Sequence, residues 1–291
     1  MRYHFIPHII PHMQAEILRT PFSRLIQWFV PLAAILSFAA WMFVAPQGAL
    51  GKLDAIGYAV CHRIDTRSFH IGERQLPLCA RCTGEFFSAG VSLAFFAFTG
   101  GKRSRLPRRG ILAILILLFL AFAVDGSNSY LYLMKQTSEA LDSIPNLYEP
   151  NNTLRLFTGS GMGLTIASIL FQIVHQTIWR EVDDRPALAW KNLILLIAGI
   201  TLLDLAILSE NAIVLYLAAA ISILGVLALL TIVFAILWMI IMHTDNSATS
   251  YHQLTLPLLA GFTLALLLIV GIDLVRFNLT GSWGGFPGLT G

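Results

Sequence analysis

Long apolar runs are the feature that most constrains the fold of this 291-residue chain. About 20 consecutive apolar residues cross the hydrocarbon core of a bilayer, and backbone that faces lipid must satisfy its hydrogen bonds inside a helix. Seven runs meet this description, at about residues 25–45, 84–99, 110–134, 154–179, 191–209, 212–243 and 254–276. The sequence therefore predicts an all-α fold, a polytopic transmembrane helix bundle of about seven helices.

The composition supports this fold class and leaves one alternative for the helix count. Hydrophobic residues make up 56% of the chain and charged residues 12%, whereas soluble domains carry about 25% charged residues. Only Ser209, Glu210 and Asn211 separate the fifth and sixth runs, so a six-helix bundle is the alternative. The net charge of +3 gives no reason to expect a nucleic-acid partner.

The distribution of lysine and arginine predicts the orientation in the membrane. Short cytoplasmic loops carry an excess of these residues, and the densest cluster is the sequence GGKRSRLPRR at 100–109. This cluster predicts a cytoplasmic N-terminus and an extracytoplasmic segment after the first span. We divide the chain into a cytoplasmic amphipathic N-terminal segment (1–24), a membrane core (25–180), and accessory transmembrane helices with a short C-terminal tail (181–291).

All three cysteines lie between the first two spans, in the sequence CHRIDTRSFHIGERQLPLCARCTG at 61–84. Three cysteines and a histidine supply the donor set of a closed tetrahedral zinc site, and a bound metal can order a loop that is too short to bury a core. The predicted zinc ligands are Cys61, His62, Cys79 and Cys82. The alternatives for the fourth position are His70, Asp65 and Glu85.

The same cysteines allow two other interpretations. A Cys-x-x-Cys motif at a helix N-terminus with Arg81 between the thiols favours a lowered thiol pKa, which is typical of thiol–disulfide oxidoreductases. Cys79 and Cys82 would then be the redox pair, although a third cysteine is unexpected in an oxidising compartment. Alternatively, the loop is a docking surface of a non-catalytic subunit in a membrane complex.

Two further polar clusters lie on the same predicted side of the membrane as the cysteines. They are VDGSNSYLYL (124–133), where the third span ends, and PNNTLRLFTGSGMG (150–163), where the fourth begins. Asp125 and Arg155 lie in or at the edge of apolar runs, where an ionised group costs roughly 2.5–3.5 kcal/mol and needs a partner or a wet cavity. They predict either a structural ion pair or a functional site in which Asp125 is an acid, a base or a ligand.

The arginines near these clusters predict an anion site. Guanidinium groups bind phosphate and carboxylate through paired hydrogen bonds, and a helix N-terminus adds a positive dipole. The candidate ligand-binding residues are Arg67, Ser68, Arg81, Asn152 and Arg155. A basic loop that touches lipid phosphates is the alternative. The expected partners are membrane lipid and an anionic or lipid-linked small molecule.

The motifs CHR, RSF and RQLPLCARCTG resemble the signature of a family of uncharacterised prokaryotic polytopic membrane proteins. The resemblance extends over about residues 55–165, and it includes Asp125-Gly126 and the pattern of Asn152, Arg155, Thr158 and Gly159. It implies location in a prokaryotic cell membrane and implies no activity. From the residues we expect a zinc-stabilised polar site for an anion, with catalysis and transport both left open.

Overall fold

The computed structural model describes residues 21–135, 139–141 and 143–284. The predicted N-terminal segment, 1–24, lies largely outside these residues. The described part forms eight α-helices, and it holds seven helical segments that are long and apolar enough to cross a membrane. The all-α fold class and the seven predicted spans are therefore confirmed. The helices are α1 (Pro21–Val44), α2 (Ala49–Val60), α3 (Ala80–Thr99), α4 (Arg109–Lys135), α5 (Asn152–Ile178), α6 (Trp190–Leu208), α7 (Ala212–Ile241) and α8 (Thr255–Thr280).

The short polar break after residue 208 separates two helices, as a seven-span bundle requires. Glu210 adopts a left-handed backbone with a φ of 53°, which ends the helical path of α6. The Asn211 side chain then accepts a hydrogen bond from the Ile213 amide at 3.0 Å and caps α7. This turn gives two spans where the alternative count had one.

The segment between the first two spans is folded rather than an open loop. It contains the short helix α2 and an antiparallel hairpin of β1 (Ser68–Ile71) and β2 (Arg74–Cys79), which leads directly into α3. Gly72 at the hairpin turn has a φ of 62°, a conformation that glycine adopts without strain. The hairpin thereby places Cys79 at the N-terminus of α3.

A second pair of short strands joins connections on the opposite side of the bundle. The strand β3 (Arg103–Arg105) follows α3, and it pairs in parallel with β4 (Asp183–Pro186), which follows α5. Two spans, α4 and α5, separate these strands in sequence, so both connections emerge on one side. This pairing agrees with the alternating path of seven spans.

Glycines bring α3 and α5 into backbone contact, as expected for small residues at helix crossings in membranes. A Cβ atom on Gly159 would lie 2.1 Å from the Arg81 carbonyl oxygen, and one on Gly163 would lie 1.9 Å from the Glu85 carbonyl oxygen. No larger residue fits at either position without separating the helices. The crossing fixes the first turn of α3, which carries Arg81, against the start of α5.

The last two helices pack directly against the segment that carries the cysteines. Ile223 of α7 and Ile269 of α8 share one buried hydrophobic cluster with Ile56 of α2 and Leu78 of β2. The crossing of α3 and α7 is also close, since a Cβ on Gly225 would lie 2.0 Å from the Phe86 carbonyl oxygen. The environment of the cysteine segment therefore includes residues of α7 and α8, which lie far from it in sequence.

Candidate functional site

The three cysteine thiols lie together where three elements meet. Cys61 follows the last residue of α2, Cys79 ends β2, and Cys82 lies in the first turn of α3. All three thiols are free, and their sulfur atoms lie within 4.8 Å of one another. Sulfur atoms of a tetrahedral zinc site are about 3.8 Å apart when the Zn–S bonds are about 2.3 Å. The three sulfur atoms are therefore close enough to hold such an ion with at most a small contraction.

A close approach of α2 to β2 brings Cys61 to the other two cysteines. A Cβ on Gly57 would lie 2.1 Å from the Pro77 carbonyl oxygen, so glycine is required for this approach. The backbone amides of Arg63 and Cys79 then donate to Cys61 Sγ at 3.4 and 3.3 Å. Such donors favour negatively charged sulfur, the form that binds a metal.

The thiols of the cluster differ in how readily they ionise. Hydrogen bonds from two neighbouring thiols, the larger effect coming from Cys61 and the smaller from Cys82, hold the pKa of Cys79 well below its ordinary value. At Cys61 the hydrogen bond to the Cys79 side chain outweighs the Cys79 backbone amide and raises the pKa of Cys61 to about 12. Cys79 is also the N-cap residue of α3, where the helix dipole favours an anion. Negative charge therefore concentrates on Cys79, and a cation would be needed before all three sulfurs ionise.

The described residues place no histidine or carboxylate within the cluster of thiols. His62 is exposed and lies outside the group, and its backbone carbonyl accepts a hydrogen bond from Arg276 Nη2 at 3.2 Å. His70 Nε2 lies 3.0 Å from Asp65 Oδ1, so these two alternatives contact each other. Glu85 also lies outside the group. The structure thus brings together three of the four predicted zinc ligands.

Asp125 of α4 contacts Arg81, a residue between Cys79 and Cys82 of the cluster, has 1% of its surface exposed, and is hydrogen-bonded through both carboxylate oxygens. The Arg81 guanidinium donates to Oδ2 through Nε at 3.1 Å and through Nη2. Tyr148 Oη donates to Oδ1 at 2.8 Å, and Thr158 Oγ1 donates to Oδ2 at 3.2 Å. The ion-pair partner is therefore Arg81 rather than Arg155, because the contact of α3 with α5 places Arg81 beside this part of α4.

The remaining predicted ligand-binding arginines lie around this ion pair. Arg67 Nη2 donates to the Ser129 carbonyl oxygen at 3.2 Å, and Arg81 Nη2 donates to the Ser129 hydroxyl at 3.0 Å. Arg155 Nη1 donates to Asn152 Oδ1 at 2.9 Å. The structure therefore brings Arg67 and Arg81 to Ser129 of α4, and it places Arg155 on α5, whose Thr158 also contacts Asp125.

Ser68 and Asn152 connect the hairpin to α5. Asn152 Nδ2 donates to the Ser68 carbonyl oxygen at 3.4 Å. The Ser68 hydroxyl donates to the Ile64 carbonyl oxygen at 2.8 Å and accepts from Gln75 Nε2 at 2.7 Å. Both side chains therefore hold the position of the hairpin relative to the arginines.

The site carries more positive than negative charge in its hydrogen-bonded groups. Among the described residues, Arg81 pairs with a carboxylate, whereas Arg67 and Arg155 have only neutral oxygen acceptors. Arg155 is 6% exposed, and its Nε has no hydrogen-bond partner among the residues that the structure describes. Burial lowers the pKa of Arg67, and the positive charge of Arg81 makes a second, smaller contribution in the same direction. Buried guanidinium groups with open donors favour the binding of an anion.

The last helix contributes a contact that the sequence did not indicate. Arg276 Nη1 donates to the carbonyl oxygens of Tyr58 and Cys61, the latter at 2.6 Å, and its guanidinium lies 3.9 Å over the Tyr58 ring. Arg63 Nη2 also forms an ion pair with Asp54 Oδ1 at 3.1 Å. These contacts satisfy carbonyl groups at the C-terminus of α2 and fix the backbone beside Cys61.

Comparison with known proteins places these residues within one recognised segment. Residues 61–169 match the model of a family described as "Predicted membrane protein (DUF2085)". An uncharacterised protein of Methanocaldococcus jannaschii is 25% identical over 167 residues, which cover 53% of this chain and 96% of that protein. No solved structure matches. The matched segment contains every predicted zinc ligand and every candidate ligand-binding residue, so the resemblance is confirmed: residues 61–169 of this polytopic membrane protein are similar to this predicted membrane protein family.

Proposed function

We propose that Cys61, Cys79 and Cys82 bind one zinc ion, which stabilises a polar site for an anionic or lipid-linked small molecule. The observation that carries the proposal is the cluster of three free thiols within 4.8 Å, with two backbone amides directed at Cys61 Sγ. Thiolates are soft ligands that favour zinc over calcium or magnesium. A zinc ion would also neutralise negative charge beside Arg81 and leave the arginines free for another anion.

The fourth zinc position would be filled by a ligand other than the three thiols. In structural zinc sites four protein donors close the coordination sphere, whereas catalytic sites leave one position for water or substrate. His62 would have to move toward the thiols to close the site, and Arg276 holds its backbone. We therefore expect metal binding to depend on the cysteines far more than on His62.

The proposed anion would bind to Arg67, Arg81 and Arg155. The unpartnered Nε of the buried Arg155 supports this part of the proposal, because an unsatisfied charged donor is costly without a ligand. Asp125 would orient Arg81 through its Nε contact and would be oriented in turn by Tyr148. This role places Asp125 behind the arginines as their positioning group, and direct participation as an acid or base is the alternative for this residue.

The zinc proposal is tested by elemental analysis of protein purified without added chelator. We expect one zinc ion per chain in the wild type, and loss of zinc in Cys61→Ser, Cys79→Ser and Cys82→Ser. His62→Ala is the matched variant, and it should retain most of the metal. X-ray absorption should give Zn–S distances of about 2.3 Å. Metal-free protein with full thermal stability would refute the proposal.

The anion proposal is tested separately by ligand-induced stabilisation. Phosphate, pyrophosphate and a polyprenyl phosphate would be added to the zinc-replete protein, because a ligand at 100 times its dissociation constant stabilises a protein by about 2.7 kcal/mol. Arg155→Gln should abolish the stabilisation, and Arg185→Gln, an exposed arginine of β4, should not. Equal stabilisation of both variants would place the anion elsewhere while leaving the zinc proposal intact.

A thiol–disulfide oxidoreductase is the second candidate, and the low pKa of Cys79 favours it. In that case Cys79 and Cys82 would lose two electrons and two protons to an acceptor and form a disulfide. Mass spectrometry of thiol-trapped protein from membranes would show this bond. A reversible Cys79–Cys82 disulfide in metal-free protein would favour the redox function, whereas three free thiols with one zinc ion would favour the site proposed above.

A further inference from the structure

A cavity of about 680 Å³ opens between α3, α5 and α7, in the half of the bundle away from the cysteine cluster. Its inner end is the crossing of α3 and α7, where a Cβ on Gly90 would lie 3.3 Å from Gly225 Cα. Beyond this crossing residues of both helices line the cavity, together with Phe171 and Val174 of α5. The cavity therefore begins near the middle of the membrane and runs toward the side that carries β3 and β4.

The walls of the cavity are almost entirely apolar. Apart from His175 and Tyr251 near its outer end, the lining side chains are aliphatic or phenylalanine, or the residue is glycine. Ala97 and Leu224 are both exposed, so the cavity is open on the membrane-facing surface of the bundle. Its volume lies in the range of natural ligand sites, about 300–1,000 Å³. An open apolar cavity at this depth suits a hydrocarbon chain, because only apolar groups are available in the bilayer core.

The outer end of the cavity has the chemistry of a membrane interface. Trp179 Nε1 donates to His175 Nδ1 at 3.0 Å, and the Trp179 ring packs edge-on against Tyr251 with centroids 4.7 Å apart. Lys102 Nζ lies 4.2 Å over the Trp179 ring and donates to the Thr249 carbonyl oxygen at 3.0 Å. Tryptophan, tyrosine and lysine are the side chains that line the head-group region of bilayers.

We propose that this cavity binds one acyl chain of an anionic phospholipid whose phosphate group lies at Lys102. Gly101 lines the cavity and Lys102 follows it directly, so the cation stands where the apolar walls end. Lys102 also begins the basic cluster that ends at Arg109, and such clusters attract anionic head groups. This charge selects an anionic phospholipid over a zwitterionic one. The site is independent of the proposed zinc and anion sites.

The test uses full-length protein, delipidated in mild detergent and then mixed with phosphatidylglycerol or phosphatidylcholine of equal chain length. Native mass spectrometry counts the lipids that stay bound. We expect one phosphatidylglycerol per chain, bound at least tenfold more tightly than phosphatidylcholine. Equal binding of the two lipids, or a broad distribution of many bound lipids, would overturn the proposal.

Two pairs of variants locate the bound lipid. Ala228→Phe fills the cavity and should weaken both lipids at least tenfold, whereas Ala198→Phe, on the exposed face of α6, should leave binding unchanged. Lys102→Gln should reduce phosphatidylglycerol binding to the level of phosphatidylcholine, whereas Arg109→Gln, at the far end of the basic cluster, should leave the preference for phosphatidylglycerol in place. Wild-type binding in Ala228→Phe, or equal losses in both members of a pair, would refute the site.

A wild-type experiment covers the case in which Ala228→Phe does not fold. Phosphatidylglycerol with a photoreactive diazirine at the end of one acyl chain would be bound and activated, and the labelled peptides identified by mass spectrometry. The chain end should label α3 near Gly90 or α7 near Leu224, at the inner end of the cavity. Labels confined to other helices would place the lipid elsewhere and overturn the proposal.

Discussion

The buried ion pair of Arg81 and Asp125 allows a quantitative test of how the site is held together. Asp125 is 1% exposed and the Arg81 side chain 18%, so little water screens their contact. The perturbations are Arg81→Met, Asp125→Leu and the combination of both, which replace the charged groups by apolar side chains of comparable size. The exposed pair of Arg185 and Asp183 on β4 provides a matched control through Arg185→Met.

Removal of Arg81 alone should be the most costly change. Loss of one partner of a buried pair costs about 3–5 kcal/mol, because the other charge stays buried without compensation. Tyr148 and Thr158 still donate to Asp125, which places the expected loss of unfolding free energy near the lower limit of this range. The double variant buries no unpaired charge and should recover most of that loss. The expected coupling energy is about 1–3 kcal/mol.

The assay is equilibrium unfolding in mixed micelles with increasing sodium dodecyl sulfate, followed by tryptophan fluorescence and far-ultraviolet circular dichroism. The control Arg185→Met should change the transition little, because surface ion pairs contribute little. An Arg81→Met protein as stable as the wild type would show that this pair does not support the bundle. Additive losses in the double variant would show that the two residues act independently.

Three further predictions concern the crossing of α3 with α5, the ionisation of Tyr148 and the orientation in the membrane. Gly163→Ala should lower the unfolding free energy by about 1–3 kcal/mol, because the added Cβ would lie 1.9 Å from the Glu85 carbonyl oxygen. Gly199→Ala is the control, since a Cβ there would meet no neighbouring atom within 4 Å, and it should not lower the stability. Equal stability of the two variants in a melting experiment would contradict the close crossing. Burial, followed by the hydrogen bond to Asp125, raises the pKa of Tyr148 to about 12. The stabilisation that neutral Tyr148 provides should therefore be complete below the unfolded pKa of about 10 and lost as pH rises through about 12. A difference titration of phenolate absorbance against Tyr148→Phe that gives an ordinary pKa would refute this prediction. An impermeant thiol reagent added to intact cells should label a reporter cysteine at position 73 and not one at 105, in a variant without the native cysteines; the reverse pattern would invert the predicted orientation.

The membrane spans could be predicted because their physical requirement is local. A helix crosses the bilayer when its own residues are apolar over sufficient length, whatever its neighbours are. The same criterion did not predict α2, because residues 49–60 are too few to cross a membrane. The hairpin β1–β2 had only Gly72 as a turn signal, and its strands are short.

The members of the site could be predicted, but not their pairing. The cysteines and arginines stand out because reactive and charged residues are rare in this composition. Which arginine meets Asp125 depends on the glycine contact between α3 and α5, which only the assembled bundle defines. Tyr148 lies in a connection without a motif, and Arg276 contacts residues more than 200 positions earlier in the chain, so neither contact had a local signal.

The contact of Arg276 with the carbonyl oxygen of Cys61 has a consequence for biosynthesis. The backbone beside Cys61 leaves the ribosome 215 residues before the Arg276 guanidinium that holds it, which belongs to α8. Until α8 inserts, the end of α2 lacks this donor, and the geometry of the thiols depends on contacts made by earlier elements, among them the approach of Gly57 to Pro77. Completion of the cysteine cluster should therefore be a late, post-insertion step, and nascent chains that stop before residue 276 should present these thiols to the surrounding redox enzymes and metal carriers.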